Sequence, residues 1–194
     1  MKALHTLVVG DTGTGKSTLL RQIAVETPAT TIWIDHMGSE DDLRAPVARS
    51  VADLRTLARD RDVIRYVPTG TDDPALAARS IAHHEIDGPT QIVSDECQEV
   101  LTDDSDNQIK QGLHTDRDRG IKWVLATQDP ADLPYTPIKQ IRYYVWVGEP
   151  AMFMDGFLNY YGFDRGDLPD QDFRYAVLDK SGAVIDRGET DPSY

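Results

Sequence analysis

The chain has 194 residues, 40% of them apolar, and 33 acidic against 20 basic side chains leave a net charge of −13. A chain of that length buries roughly 70% of the surface it exposes when unfolded, and its apolar content excludes a disordered polymer. No apolar run approaches the ~20 residues of a membrane span, and a single cysteine, Cys97, excludes an internal disulfide and a cysteine-built zinc site. The expectation is a soluble intracellular α/β protein, one unit over 1–194, with a core at about 3–148 and a C-terminal helix and hairpin at 149–194.

In chain order, Leu4–Val9 reads as a strand entering a glycine loop at Gly10, and Ser17–Glu26 as a helix ended before Pro28. Thr31–Ile34, Val63–Val67, Gln91–Ser94, Ile121–Thr127 and Tyr143–Val147 complete six candidate parallel strands. Residues 39–60, 72–84 and 107–118 read as helices, and Asp103–Asp106 as a solvated loop. Tyr175–Leu178 and Ala183–Ile185, joined through Asp179-Lys180-Ser181-Gly182, read as a β-hairpin that extends or caps the sheet. Strands alternating with helices imply crossover connections and a mostly parallel sheet.

Asp outnumbers Glu 26 to 7, and Arg outnumbers Lys 14 to 6. Ordinary solubility explains an acid excess. So does a high-salt cytoplasm, where a Debye length of ~3 Å makes self-repulsion cheap. A broad basic face for nucleic acid is excluded; any DNA contact must use a small, sheltered set of cations.

Gly10-Asp11-Thr12-Gly13-Thr14-Gly15-Lys16-Ser17 fits G-x-x-x-x-G-K-[ST] at every position, after a strand and before a helix. Glycines let successive N–H groups turn inward onto a polyphosphate, and the helix start adds its dipole. Residues 11–18, Thr18 included, are the candidate nucleotide contacts, with Lys16 reaching the β- and γ-phosphates and Ser17 ligating Mg²⁺. Gln91–Ser94 runs into Asp95-Glu96 at the carboxyl edge of the sheet. Asp95 is the expected second Mg²⁺ residue, through water, and Glu96 the general base for a water that attacks ATP. Gln128, ending the strand Ile121–Thr127, is placed to sense the γ-phosphate.

GDTGTGKST, IWIDHMGSE, IVSDE and DRDRGIKWVLATQDP together resemble the FtsK–HerA superfamily of DNA-pumping ATPases over roughly residues 5–148. The resemblance implies a RecA-like, additional-strand, catalytic-glutamate P-loop NTPase fold. It places a D-x-x-G-type turn at Asp35-His36-Met37-Gly38. It also implies an arginine finger acting on the adjacent subunit, at Arg117, three residues before Gly120, with Arg119 the second choice. Members form homo-oligomeric, hexameric rings. With no room expected for a winged-helix reader, added barrel or membrane segment, the chain resembles the small genome-packaging ATPases of tailless viruses with an internal membrane. The implied partners are double-stranded DNA, further copies of the chain, and a capsid-vertex or membrane-portal protein. The implied location is a host cytoplasm or virion vertex, and a haloarchaeal host fits the composition.

Lys110, Lys122, Lys139 and Arg142 are DNA-contact candidates, though for each the reading as a solvated surface cation is the favoured one. Cys97 reads as an apolar filler and His83-His84 as a helix flank. Tyr143, Tyr144 and Trp146 read as core. Met152, Phe153, Met154, Phe157, Tyr160 and Tyr161 read as an apolar helix face, packed in the core or on a partner. Three alternatives stay open: a conjugation or secretion motor, a nucleoside or nucleotide kinase, and a nucleotide-gated scaffold.

Overall fold

Strands form here where short apolar runs are covered on both faces, as parallel sheets require. The computed structural model describes residues 3–36, 38, 42–69, 73–99, 101, 104 and 107–194, without the side chains of Glu99 and Phe153. In chain order the elements are β1 (Thr6–Val9), α1 (Lys16–Glu26), β2 (Thr30–Ile34), β3 (Val47–Ala48), α2 (Val51–Leu57), β4 (Val63–Tyr66) and α3 (Pro74–His84). They continue with β5 (Thr90–Ser94), α4 (Gln108–Thr115), β6 (Ile121–Thr127), α5 (Tyr135–Ile138), β7 (Tyr143–Val147), α6 (Asp155–Tyr161), β8 (Arg174–Asp179) and β9 (Val184–Glu189).

Among the described residues these strands form one nine-stranded sheet, ordered β3-β4-β2-β5-β6-β1-β7-β8-β9. The first seven in that order run parallel. The β8–β9 hairpin extends the sheet antiparallel to β7, with Tyr144 opposite Leu178. One strand, β6, lies between β1, which enters the glycine loop, and β5, which ends at Asp95-Glu96.

Successive side chains take opposite faces. Val8, Trp33, Val93, Val124 and Val145 pack with Leu19, Leu20 and Ala24 of α1. Leu7, Ile32, Ile92, Trp123, Tyr144 and Trp146 pack on the other face with Ile81 of α3, Leu113 of α4 and Phe157 of α6. A one-residue slip would exchange the two faces, so apolar side chains on both sides leave the register to be set by size and helix contact.

The helix expected over 39–60 is shorter. Residues 39–41 lie outside the described residues, β3 occupies 47–48, and α2 starts only at Val51. Pro46 cannot donate within a helix and its carbonyl instead accepts from Arg65 N at 3.0 Å, which seeds β3 against β4. Ser50 then caps α2, its hydroxyl accepting from Asp53 N at 3.1 Å. Asp73 caps α3, with Pro74 at its first position; residue 72 lies outside the described residues. The helix read over 107–118 tightens after Thr115 into a 3₁₀ turn, Asp116–Arg119.

The apolar face at 152–161 is mixed: Met154 and Phe157 are buried, whereas Met152 is 86% and Tyr160 65% exposed. Position 153's side chain and residues 103, 105 and 106 of the expected acidic loop lie outside the description. No described helix is long and apolar enough to cross a membrane.

Candidate active site

The glycine loop leaves β1 at Val9 and closes on itself. Asp11 O accepts from Thr14 N at 3.3 Å and from Thr14 Oγ1 at 2.8 Å. Gly13 and Gly15 take φ of 83° and 98°, which non-glycine residues reach only at a cost, and Gly15 hands the chain to α1. Two further glycines fit the loop to the sheet. A Cβ on Gly10 would lie 2.7 Å from Val147 O, and one on Gly148 2.6 Å from Thr14 Cβ. The turn after β7 therefore clamps the loop from below. Strand order makes this possible, because β7 is the neighbour of β1.

Lys16, buried, donates from Nζ to Asp95 Oδ1 and Glu96 Oε1, each at 3.1 Å. Ser17 Oγ donates to Asp95 Oδ2 at 3.2 Å. Gln128 Nε2 donates to Glu96 Oε1 at 2.7 Å, while Gln128 Oε1 accepts from Thr12 Oγ1 at 3.0 Å. Gln98 donates to the other oxygen of Glu96. The structure thus joins the ends of β1, β5 and β6 in one hydrogen-bonded cluster, carrying Lys16, Ser17, Asp95, Glu96 and Gln128. A cavity of about 300 Å³ opens over it, lined by Asp11, Thr12, Gly13, Gly15, Lys16, Ser17, Thr18, Glu96, Gln128 and Phe173. Thr14 points away from the cavity, toward Gly148.

Glu96 sits at φ 51°, a left-handed backbone that costs of order 1–2 kcal/mol outside glycine. The turn it forms directly after β5 leaves its carboxylate in contact with Lys16. Burial pushes that carboxyl upward, but hydrogen bonds from Gln128 and Gln98 and the Lys16 charge outweigh it, so Glu96 stays below the ordinary carboxylate range and ionised. Cys97 beside it is fully buried, and desolvation pushes its thiol well above its usual range, as an inert filler requires.

Ser17 Oγ and Asp95 Oδ2 face each other, and the Lys16 ammonium already bridges the two carboxylates. A hydroxyl paired with a carboxylate is a hard oxygen donor set, and it fits Mg²⁺.

Other sequence candidates lie elsewhere. Asp35 is spent on a buried ion pair with Arg65, 2.8 Å apart, and His36 Nε2 lies 3.1 Å from Ser94 Oγ; Met37 is outside the described residues. Arg117 and Arg119 are exposed on the 3₁₀ turn before β6, at the sheet edge opposite the glycine loop. Seven residues of strand separate them from Gln128, about 23 Å at ~3.3 Å per residue. Lys122 and Arg142 also stand at that far edge, before or at the start of β6 and β7, and burial lowers the Lys122 ammonium pKa. Lys139 lies over the Tyr135 ring, 3.8 Å from its centre.

Sequence reading missed three features. Phe173 lines the cavity from a position 158 residues after Gly15, with no local signal. Thr12 reads as part of the loop, and nothing in the sequence pairs it with Gln128, 116 residues away. The turn carrying Arg117 is anchored by Asp116, whose buried carboxylate accepts from Arg79 Nε at 3.0 Å and Trp123 Nε1 at 2.9 Å, and lies 2.9 Å from His83 Nε2. A His-His pair and a lone Asp four residues before a glycine carry no such message in one dimension.

No protein-family model and no curated protein matches the sequence. Solved structures do match. The genome packaging NTPase B204 of Sulfolobus turreted icosahedral virus 2, in complex with sulfate, superposes with a TM-score of 0.75 at 19% identity, over 98% of each chain. The same NTPase with ATP-gammaS gives 0.74 at 17% identity, over 96% of this chain and 97% of that one. EssC (ATPases 2 and 3) from Geobacillus thermodenitrificans gives 0.60 at 13% identity, over 96% of this chain and 40% of that one. Over nearly its whole length, then, the chain has the mostly parallel P-loop fold of these ATPases.

Proposed function

We propose that the chain is an ATP-hydrolysing motor that translocates double-stranded DNA, and specifically that it drives a viral genome into a preformed capsid. The single observation that carries hydrolysis is the cluster in which Lys16, Ser17, Asp95, Glu96 and Gln128 meet within hydrogen-bond distance. ATP lies along residues 11–18, its terminal phosphate drawing Lys16 away from the two carboxylates. Ser17 and Asp95 hold Mg²⁺, which supplies charge neutralisation on the phosphates. Freed from Lys16, the ionised Glu96 accepts the proton of the attacking water. Gln128, bonded at once to Glu96 and to Thr12 of the loop, passes loss of the γ-phosphate to β6.

The distance along β6 supports a ring. Arg117, or Arg119 beside it, stands too far from its own chain's cavity to touch a phosphate, so a finger from this turn serves the next copy. Such a finger contributes ~10³–10⁵ in rate, so isolated subunits turn over slowly. The fold shared with the B204 genome-packaging NTPase supports DNA packaging as the task. Docking to a capsid vertex or portal protein, action in a high-salt cytoplasm, and one ATPase unit across 1–194 belong to the same proposal. The fold likeness to the type VII secretion ATPase EccC of Thermomonospora curvata keeps a secretion-type motor as the second reading.

The test is ATP turnover in multimolar salt with Mg²⁺, with and without double-stranded DNA. DNA-stimulated turnover lost in Glu96→Gln supports the motor; stimulation by a nucleoside acceptor instead would make it a kinase. Arg117→Ala mixed with Glu96→Gln should recover part of the activity that each lacks alone. Absence of recovery in mixed assemblies refutes the trans finger.

A further inference from the structure

Phe173 precedes β8 and is built into the loop by its backbone. Its N–H donates to Thr14 O and its C=O accepts from Thr190 N, both at 2.7 Å. The ring lies over Gly15: a Cβ there would come within 2.8 Å of Phe173 Cδ1 and 3.1 Å of Thr190 Oγ1. Two features are unfavourable for the free protein. The backbone sits at φ 63°, where a bulky residue is strained. The residue is 47% exposed, leaving apolar surface in water that burial would remove. Both become intelligible if a flat ligand covers the ring. It lines the same cavity as Gly15, Lys16 and Thr18. Lys16, Glu96 and Gln128 mark where the terminal phosphate goes, whereas Phe173 enters from the hairpin side, over the start of α1.

We propose that Phe173 is the platform on which the nucleoside part of the bound triphosphate stacks, supplied by the entry to the C-terminal hairpin of the same chain. The inference rests on the reading of residues 10–17 as a triphosphate-binding loop. Stacking of a base on an aromatic side chain tolerates any base, because every base presents a π-face. It gives the hairpin a task that packing on β7 does not: it completes the site for the half of the nucleotide that the loop cannot hold.

The experiment compares Mg²⁺-ATP with Mg²⁺-tripolyphosphate, which has the phosphates without the nucleoside, by calorimetry on the full chain. Phe173→Ala, and Phe173→Asn, whose side chain tolerates the left-handed backbone, should weaken ATP about 5- to 150-fold. Tripolyphosphate affinity should stay within about twofold, since an aromatic face offers phosphate nothing. Phe173→Trp should restore ATP binding. If ATP is unaffected by both variants, or if tripolyphosphate weakens in parallel with ATP, the platform is refuted and Phe173 merely shapes the loop. If the unaltered chain binds neither ligand, the triphosphate-loop reading itself falls, and this inference with it.

Discussion

Exchanging Glu96 for Gln should tighten ATP binding while abolishing its hydrolysis. In the structure Lys16 Nζ is shared between Asp95 and Glu96 at 3.1 Å each, so an arriving γ-phosphate must compete with both carboxylates for one ammonium. Once displaced, Glu96 stands beside the phosphate as a like charge. At 3.1 Å and an effective dielectric near 20 one such pair is worth about 5 kcal/mol gross. Most of that cancels, because Lys16 exchanges one anion for another, and Glu96 is 29% exposed to screening solvent. A net of about 1–2 kcal/mol remains, or roughly a 5- to 30-fold lower Kd. The amide keeps its size and its bond to Gln128 after a flip, so the fold is unaffected. Calorimetric titration at fixed salt, beside phosphate release, reads both quantities. Weaker binding by Glu96→Gln, or hydrolysis that survives it, would refute the shared-lysine argument.

Lys16→Ala should remove nucleotide binding altogether, since it deletes the ammonium and leaves Asp95 and Glu96 unopposed; unchanged affinity would dispose of the loop assignment. Gly148→Ala places a Cβ 2.6 Å from Thr14 at φ 75°, so thermal unfolding should show about 2–4 kcal/mol lost together with weaker ATP binding, and a variant indistinguishable from the parent contradicts the clamp. Asp116→Ala strands Arg79, 13% exposed, and the Trp123 N–H, so denaturant titration should show a loss of about 3–5 kcal/mol; a loss below about 1 kcal/mol, the size of an exposed ion pair, refutes the buried network. His5 is buried, and desolvation lowers its pKa from 6.5 to about 4 despite the nearby Asp116 charge. The folded state therefore binds its proton less readily than the unfolded chain. Stability should fall as pH drops below 6.5 and level off beneath about 4, by up to about 3 kcal/mol, and His5→Asn should flatten that slope. A slope unchanged in His5→Asn refutes the assignment.

Much of the site was legible in one dimension because its chemistry is local. Eight consecutive residues, Gly10–Ser17, specify a phosphate loop by covalent spacing alone, and an apolar run that stops at Asp95-Glu96 marks the carboxyl end of a strand. Six of the seven parallel strands follow from runs that are mostly apolar, since a strand covered on both faces has no polar face to show. Tertiary structure decided what depends on residues far apart. β3 exists only because Pro46 and Ala48 meet β4, and Asp35 of the expected turn is consumed by Arg65. Met152 and Tyr160 share an apolar pattern with Met154 and Phe157 yet remain in solvent, because the helix turns only one side to the sheet. The insertion of β6 between β1 and β5 brings Gln128 to Glu96 and carries Arg117 to the opposite edge. The hairpin returns Phe173 to Gly15. Periodicity reports which face of a segment is buried, but only strand order reports which segments become neighbours, and this site is made where neighbours meet.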